Sequence, residues 1–193
     1  MPEANPEALA FLLSRRSRPA KTLTTPVPSR EELAPILEAG LRAPDHGKLE
    51  PWRLIVIEGR AVMDRLATLA QTRGEALGLD DEKIGKGRGQ FDMGNLAVVV
   101  VESPVIAEKV PEIEQTYSAG AVCLQLLNAA LAAGWGANWL SGWVSHDRDF
   151  LTEGLRLSPH ERIAGIIHIG TEKSAPPERP RPDMEKKVTW VSR

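Results

Sequence analysis

The stretch EIEQTYSAGAVCLQLLNAALAAGWGANWLSG, residues 112–142, contains the clearest structural signal in the chain. Its first part, 112–133, carries almost no charge after Glu114, which predicts a long helix that is buried on most sides. Gly-Trp-Gly at 134–136 ends this helix, and 137–142 is predicted to be a short strand. A buried helix followed at once by a strand indicates a domain in which helices pack against a sheet.

Segments on both sides of this stretch alternate between strand-like and helix-like patterns, without an internal repeat. Apolar runs at 54–57 and 96–101 lack polar alternation, which predicts strands covered on both faces. With a core strand at 163–169, the chain has about four strands. Helical spacing predicts further helices at 6–16, from the capping box of Ser29 and Glu32 to about 41, at 60–72 and at 147–157. These elements predict one mixed α and β domain over residues 1–193.

Several segments depart from these regular patterns. Residues 18–28 contain three prolines and are predicted to be an extended connector, while Pro35 is expected to kink its helix or delay its start. Six glycines between 74 and 94 predict a mobile stretch. The proline-rich tail at 176–182 is expected to run extended. The alternating apolar residues at 188–191 could add an edge strand to this sheet or to that of another subunit.

The composition is that of an ordinary globular protein, and it argues against nucleic acid and a membrane as partners. The chain has 193 residues, a formal net charge of -2 and 42% hydrophobic residues. This charge balance gives no reason to expect nucleic acid as a partner. The longest apolar stretch, 119–133, is interrupted by Gln125 and Asn128 and is shorter than a membrane span, so a membrane protein is excluded. The expected partner is a small molecule.

The cysteine content and the N-terminal sequence bear on localisation. The single cysteine, Cys123, cannot form an internal disulfide, which fits a reducing compartment. The N-terminal residues place acids before a short apolar run and arginines after it, the reverse of a secretory signal. We therefore expect a cytoplasmic protein.

Several common catalytic sites require spacings that this sequence lacks. It contains no G-x-S-x-G elbow, no H-E-x-x-H motif and no P-loop. Its four histidines show no ligand-like spacing with Cys123, so no metal site is expected. The glycines at 85, 87 and 89 do not follow a strand and do not match the dinucleotide-binding fingerprint. A flexible lid is the expected structure for that segment.

Three segments carry residues suited to a ligand, and each also has a plainer interpretation. RRSR at 15–18 could grip a phosphate, or it could be a basic helix end that complements the helix dipole. The loop at 42–52 lies at the mouth of a predicted strand, where ligands bind, but its composition is also that of an ordinary turn. At 134–142, glycines permit close backbone approach and two indoles could line a flat ring, or the tryptophans are core residues.

Together these segments resemble the nitroreductase family of FMN-dependent oxidoreductases, particularly its short members. The resemblance covers nearly the whole chain, and its specificity comes from the order and spacing of the combined motifs. The matching segments are RRSR at 15–18, LRAPDH at 41–46, EPW at 50–52, SAG at 118–120, GWGANWLSG at 134–142 and IIHIGT at 166–171. The resemblance implies an α+β fold with a central, mainly antiparallel sheet flanked by helices. It also implies a homodimer that binds two FMN molecules at its interface.

The resemblance assigns the phosphate end of the flavin to basic residues. Arg15 and Arg16 are expected to bind the phosphate, and Ser17 the ribityl chain or the ring. The extended tail carries two further arginines, Arg179 and Arg181. Of these, Arg181 is the expected phosphate ligand.

The resemblance assigns the isoalloxazine end to two other segments. Arg42 and His46 are expected beside the flavin, while Trp139, Leu140 and Ser141 are expected to approach it from the partner chain. Short relatives often carry an arginine where Leu140 stands. At that position we therefore expect only backbone or apolar contact.

The implied activity is hydride transfer from NAD(P)H through flavin N5 to nitroaromatic, quinone or similar acceptors, in a ping-pong order. No catalytic side chain is required, because the flavin carries the chemistry. The alternative from another class is a non-catalytic protein that binds or delivers flavin. A dedicated reaction within the same superfamily, such as reductive dehalogenation or flavin fragmentation, is a further alternative. The glycine-rich segment offers few anchors for a substrate beyond Arg88, Phe91 and Asp92, which favours an open, promiscuous site.

Overall fold

The computed structural model describes residues 3–192 and has an α+β architecture. Its longer helices lie on both faces of a five-stranded sheet. The helices are α1 (Pro6–Ser14), α2 (Arg30–Gly40), α3 (Arg60–Ala76), α4 (Asp81–Asp92), α5 (Glu112–Ala132) and α6 (Met184–Lys187), with a π-helical turn at Phe150–Gly154. The strands are β1 (Leu23–Thr24), β2 (Trp52–Glu58), β3 (Leu96–Glu102), β4 (Gly136–Leu140) and β5 (Arg162–Glu172).

The sheet is antiparallel throughout, as expected. Its strand order is β1-β5-β3-β2, and β4 also pairs with β5. Strand β5 is eleven residues long and pairs with β3 over residues 162–168, with β4 over 166–170 and with β1 over 171–172. The sequence predicted about four strands, and the additional strand is β1. It is two residues long and lies inside the segment at 18–28 that was predicted to be only a connector. Its pairing with β5 holds the segment that follows α1 against the C-terminal end of β5.

Two hydrophobic cores lie on opposite faces of β3. Val99 and Val101 face α3, whereas Val98 and Val100 face α2 and α5. All residues of β3 are buried, which confirms the strand predicted from the continuous apolar run. The same prediction for 54–57 is only partly correct. This run belongs to β2, whose residues are mostly half-buried because β2 is at the edge of the sheet.

Helix α2 begins as the sequence predicts. Ser29 and Glu32 form a complete capping box, in which each side chain accepts a hydrogen bond from the other residue's backbone. Pro35 lies inside the helix without ending it. Its side chain is exposed, so the pyrrolidine ring faces solvent and the carbonyl that loses its helical partner can bind water.

The prediction of a mobile lid at 74–94 is wrong. Helix α3 runs to Ala76, and α4 occupies most of the remainder. A Cβ at Gly87 would overlap the indole of Trp143, and a Cβ at Gly74 would crowd Ile84. These glycines therefore permit close packing of α4 against α3 and Trp143. The sequence indicated flexibility because a glycine needed for packing looks the same as a glycine needed for motion.

The pair of Arg53 and Glu161 links β2 to the turn before β5. Glu161 is almost fully buried and accepts hydrogen bonds from Arg53 Nε at 2.6 Å, from Arg53 Nη2 at 2.8 Å and from the backbone N–H of Ser158 at 2.8 Å. The guanidinium of Arg53 is the main reason that the pKa of Glu161 falls to about 2, against the opposing effect of burial. The pair therefore stabilises the fold whenever Glu161 is ionised.

Replacing Glu161 by Gln is expected to lower the free energy of unfolding by about 2 kcal/mol at pH 7. A carboxyl whose pKa is depressed in the folded state adds stability above its unfolded pKa, and this stability is lost as pH falls through the folded value. The difference between the wild type and Glu161→Gln should thus shrink between about pH 5 and pH 2. Urea unfolding across this range measures it, with the exposed Glu38→Gln as the control. A difference that does not change with pH would contradict the assignment.

The tail, residues 173–192, comes after the last strand and forms no part of the sheet. Residues 176–182 have no regular structure, as predicted, and α6 follows at Met184–Lys187. Trp190 and Val191 are exposed and, in the part of the chain that the structure describes, pair with no strand. The predicted addition of an edge strand to this chain's own sheet is therefore wrong, and its addition to another subunit stays a prediction. Among residues 3–192, no helix is long and apolar enough to cross a membrane.

Candidate functional site

A group of arginines gathers where α1 ends. Arg181 of the tail donates from Nη2 to the carbonyl oxygen of Arg15 at 3.5 Å, and Arg15 Nη2 donates to Ser17 Oγ at 3.1 Å. The pKa of Arg15 is lowered by burial first, and then by the charges of Arg181 and Arg16. The tail thus brings Arg181 to the RRSR segment.

The charges in this group are not balanced. Arg18 pairs with Glu172, and Arg181 pairs with Glu178. Within residues 3–192, Arg15 and Arg16 have no ion-pair partner, and the Nε atom of each is buried without a hydrogen-bond acceptor. Buried donors without acceptors are costly, and so are like charges placed side by side. The arrangement therefore favours binding of an anion. The last turn of α1 contains no basic residue, so complementing the helix dipole is a weaker explanation.

The same segment leads directly into a large cleft. The backbone N–H of Arg18 donates to the carbonyl of Ala137 at 2.8 Å, and Asn138 Nδ2 donates to the carbonyl of Arg18 at 2.8 Å. These bonds place residues 19–21 beside the end of β4. The cleft has a volume of about 870 Å³ and lies between these residues, the end of β4 and one face of α4. Leu140 and Ser141 line it together with Gly85, Gly89 and Gln90 of α4.

Trp139 lies apart from Leu140 and Ser141. Successive residues of a strand point to opposite faces of the sheet, and the indole of Trp139 covers Gly165 on the face opposite Asn138. A Cβ at Gly165 would overlap that indole. Of the three residues predicted to approach the ring, two line the cleft and Trp139 does not. Sequence reasoning missed Trp143, which lines the cleft and donates from Nε1 to the carbonyl of Lys83 on α4 at 2.9 Å.

The loop that carries Arg42 and His46 is held against the start of α5. His46 Nδ1 lies 2.6 Å from Glu114 Oε2, and Ser118 Oγ donates to the carbonyl of Pro44 at 2.7 Å. Trp52 Nε1 in turn donates to Ser118 Oγ at 3.0 Å. Arg42 is exposed just after α2. The loop is therefore fixed to one end of α5.

The predicted site residues fall into two sets at opposite ends of α5. The RRSR segment adjoins Leu131 and Gly134, whereas His46 adjoins Glu114 and Ser118. At about 1.5 Å of rise per residue, Ser118 and Leu131 are about 20 Å apart along the helix. Residues 139–141 were expected to approach the flavin ring from the partner chain. Within one chain, Leu140 and Ser141 line the cleft that is entered from the RRSR segment, which favours their contact with a flavin bound by the same chain. The loop at 42–46 is the distant set.

The face of α5 between these two ends is apolar and exposed. Ile113, Tyr117 and Leu124 are roughly half exposed or more, and a Cβ at Gly120 would meet nothing within 4 Å. These four residues recur every three or four positions and form one stripe along the helix, which we call the α5 stripe. Leu9, Leu12 and Leu13 of α1 are also exposed. Exposed apolar surface of this extent marks an interaction site.

Cysteine and metal chemistry find no support in this arrangement. Burial raises the pKa of Cys123 to about 12, so its thiol stays protonated and unreactive. Across the described range, 3–192, no group of three or more His, Cys, Asp or Glu residues could hold a metal ion.

His168 lies in β5 opposite Asn138, a residue of the cleft. The side chain is almost completely buried, and its Nε2 has no hydrogen-bond partner. Burial lowers the pKa of His168 to about 4, so the ring is neutral at pH 7.

Stability is expected to fall as pH decreases from about 6.5 to 4, because unfolded His168 binds a proton in this range and the folded residue does not. The loss attributable to His168 amounts to about 3 kcal/mol at most. Urea unfolding of the wild type and His168→Leu at pH 7.5, 6 and 5 measures it. The wild type should lose more stability than the variant, and parallel pH profiles would contradict a buried neutral histidine.

Known proteins resemble this chain in sequence. The sequence model of the Nitroreductase family matches residues 12–171. The chain is 36% identical over 165 residues to an Escherichia coli K12 protein named "Putative NAD(P)H nitroreductase YdjA", covering 86% of this chain and 88% of that protein. It is 38% identical over 168 residues to a Haemophilus influenzae protein named "Putative NAD(P)H nitroreductase", with the same coverage of each.

Solved structures share the fold at lower identity. A nitroreductase-like family protein from Bacillus cereus superposes with a TM-score of 0.75 at 23% identity, covering 99% of this chain and 98% of that one. A Desulfovibrio desulfuricans protein, described as a putative nitroreductase in complex with FMN, superposes with a TM-score of 0.73 at 22% identity, covering 98% and 99%. At this identity the likeness shows the fold.

Proposed function

The chain belongs to the nitroreductase family, and from this premise we propose that it is an FMN-dependent oxidoreductase that uses NAD(P)H to reduce quinone or nitroaromatic acceptors. The observation that carries the proposal is the pair of buried, unpartnered Nε atoms of Arg15 and Arg16 beside a large cleft. FMN, when bound, supplies the capacity to accept and release a hydride. The chain has to bind it, orient it and leave space for a second molecule.

The phosphate of FMN fits the arginine group in both charge and hydrogen bonding. A phosphate monoester carries a charge of about -2 at pH 7, which would offset the two arginines that lack carboxylate partners. Its oxygens would accept the hydrogen bonds that Arg15 and Arg16 have available. Arg181 lies close enough to Arg15 to add to the same anion site. Ser17 is already bonded to Arg15, which places its hydroxyl at the edge of this group.

The flavin ring is proposed to extend from the arginine group toward the cleft, beside Leu140 and Ser141 of the same chain. Leu140 offers apolar contact, and Gly142 lets the backbone come close to a planar ligand. In this proposal the same cleft receives both the reductant and the acceptor, so the two occupy it in turn. This shared space supports the ping-pong order.

The other side of the ring is proposed to come from a second copy of the chain. His46 and Arg42 lie near the start of α5, at the opposite end of that helix from the RRSR segment of their own chain. If two copies pair along the α5 stripe, the start of one α5 can lie beside the end of the other. Such a homodimer would place His46 and Arg42 of one chain at the cleft of its partner. It would also cover the exposed apolar surface of α5.

The alternative is a protein that binds or delivers flavin without turnover. The visible absorption spectrum of the FMN-loaded protein, followed by anaerobic addition of NADPH and then NADH, separates the two functions. Bleaching with either nucleotide and recovery of the colour with a quinone are the results expected of a reductase. A protein that binds FMN and is not bleached would favour the carrier, and a protein that binds no FMN would contradict both.

A further inference from the structure

The pairing of Glu114 with His46 goes beyond what flavin binding requires. His46 Nδ1 lies 2.6 Å from Glu114 Oε2, a short distance for a hydrogen bond between side chains that are 60% and 44% exposed. We propose that Glu114 positions His46 so that the imidazole gives the acceptor the proton that it takes up together with the hydride. This proposal rests on the proposed function, because His46 must reach the cleft of the partner chain.

The loop holds His46 in one place at a cost in backbone strain. Lys48 and Glu50 have φ angles of 54° and 48°, a region that side-chain-bearing residues seldom occupy. Such residues persist where surrounding contacts fix them, and they are frequent at functional sites. Here the fixing contacts are Ser118 Oγ on the carbonyl of Pro44 and the carboxylate of Asp45, which accepts the N–H of Glu50 at 2.8 Å.

The contact with Glu114 determines which ring nitrogen is left for a second partner. A carboxylate accepts hydrogen bonds, so Nδ1 of His46 carries the proton and Nε2 is the remaining nitrogen. Asp45 and Tyr117 are the other ionisable residues that line the same hollow. The His46 side chain is 60% exposed, so the imidazole can recover a proton from water after each turnover.

The proton transfer balances for a quinone acceptor. The quinone takes a hydride at one end, which delivers two electrons, and a proton at a carbonyl oxygen, which gives the hydroquinone. In the second step the Nε2–H bond of the imidazolium breaks and an O–H bond forms. The neutral imidazole keeps its Nδ1 proton on Glu114 and is then protonated again by water. No further oxidant or reductant is needed.

The location of Glu114 supports transfer across a subunit interface. It lies in the first turn of α5, between Ile113 and Tyr117 of the α5 stripe. Glu112, the other acid of that turn, forms an ion pair with Arg162 and not with His46. The turn therefore provides a matched control, because Glu112→Ala removes an acid from the same turn of the helix without touching His46.

The first test uses the tautomer of His46, which does not depend on activity. Nitrogen-15 NMR of the apo protein at pH 8, assigned with His46→Ala, should show the Nδ1–H form in the wild type and in Glu112→Ala. Glu114→Ala should shift His46 toward the Nε2–H form that a free imidazole prefers, and Glu114→Gln should keep much of the Nδ1–H form. An unchanged tautomer in Glu114→Ala would overturn the positioning role.

The second test compares a quinone, which takes up protons together with its electrons, with ferricyanide, which takes up electrons alone. With saturating FMN, Glu114→Ala should slow quinone reduction about tenfold and His46→Ala about a hundredfold. In Glu114→Ala, which removes a group that contacts His46 and is not placed at the flavin, reduction of ferricyanide should stay within about twofold of wild type, as should bleaching of the flavin by NAD(P)H. Equal losses with quinone and ferricyanide would overturn the proposal alone. Absence of bleaching in the wild type would overturn the proposed function and this inference with it.

Discussion

Replacement of Arg16 by Ala is expected to weaken FMN binding about 30-fold, or about 2 kcal/mol. Arg16 has a buried Nε without an acceptor, and it adds to the positive charge that already lowers the pKa of Arg15. A phosphate would relieve both conditions, so loss of the guanidinium removes a charge-assisted contact made only in the complex. Quenching of flavin fluorescence in an FMN titration measures the effect.

Two controls separate a phosphate contact from general damage. Riboflavin lacks the phosphate, so its affinity should be the same for wild type and Arg16→Ala. Arg30→Ala removes an exposed arginine that pairs with Glu58 elsewhere on the surface, and it should leave FMN affinity unchanged. Equal loss of FMN and riboflavin affinity would place Arg16 outside the phosphate site.

Leu124→Asp is expected to raise the dissociation constant of the dimer at least about a hundredfold. Leu124 is 46% exposed in one chain and is the last residue of the α5 stripe. In a dimer that pairs along this stripe, a carboxylate at 124 would be taken out of water without a partner, at a cost of several kcal/mol. Sedimentation equilibrium measures the change, and FMN binding should fall with it.

Leu77→Asp provides the matched control for this prediction. Leu77 is 48% exposed, at the end of α3 and outside the α5 stripe. It should therefore leave the dissociation constant unchanged. A Leu124→Asp protein that stays dimeric and keeps its FMN would show that the two copies pair through another surface.

Some elements of the fold were predictable because a pattern of neighbouring residues in the sequence determines them. The charge-free run after Glu114 identified α5, the continuous apolar run identified the buried strand β3, and Ser29 with Glu32 marked the start of α2. Helix α4 was missed, because three glycines in twelve residues argue against a helix when intrinsic propensity alone is considered. What the sequence could not show is that Gly87 has to accommodate Trp143.

Some residues of the candidate site were predictable from the sequence, but their arrangement was not. Arg15, Arg16 and Arg181 were identified from the sequence, and the structure brings them together. The cleft that Leu140 and Ser141 share with residues 19–21 of the same chain was not predictable, because the bond from Arg18 to Ala137 is a long-range contact that no local pattern indicates. Glu114 was missed for the same reason, since it is 68 residues from His46.

Each flavin site is proposed to take its arginines from one chain and His46 from the other, and a mixed dimer tests this sharing most directly. Differently tagged Arg16→Ala and His46→Ala chains are coexpressed, and the dimer carrying both tags is isolated. If the site is shared, one of its two sites carries both substitutions and the other carries neither. At an FMN concentration near the wild-type dissociation constant, this dimer should reduce quinone at about half the wild-type rate, far above either parent variant. A mixed dimer no more active than the average of its two parents would contradict the account, because each site would then be built within one chain.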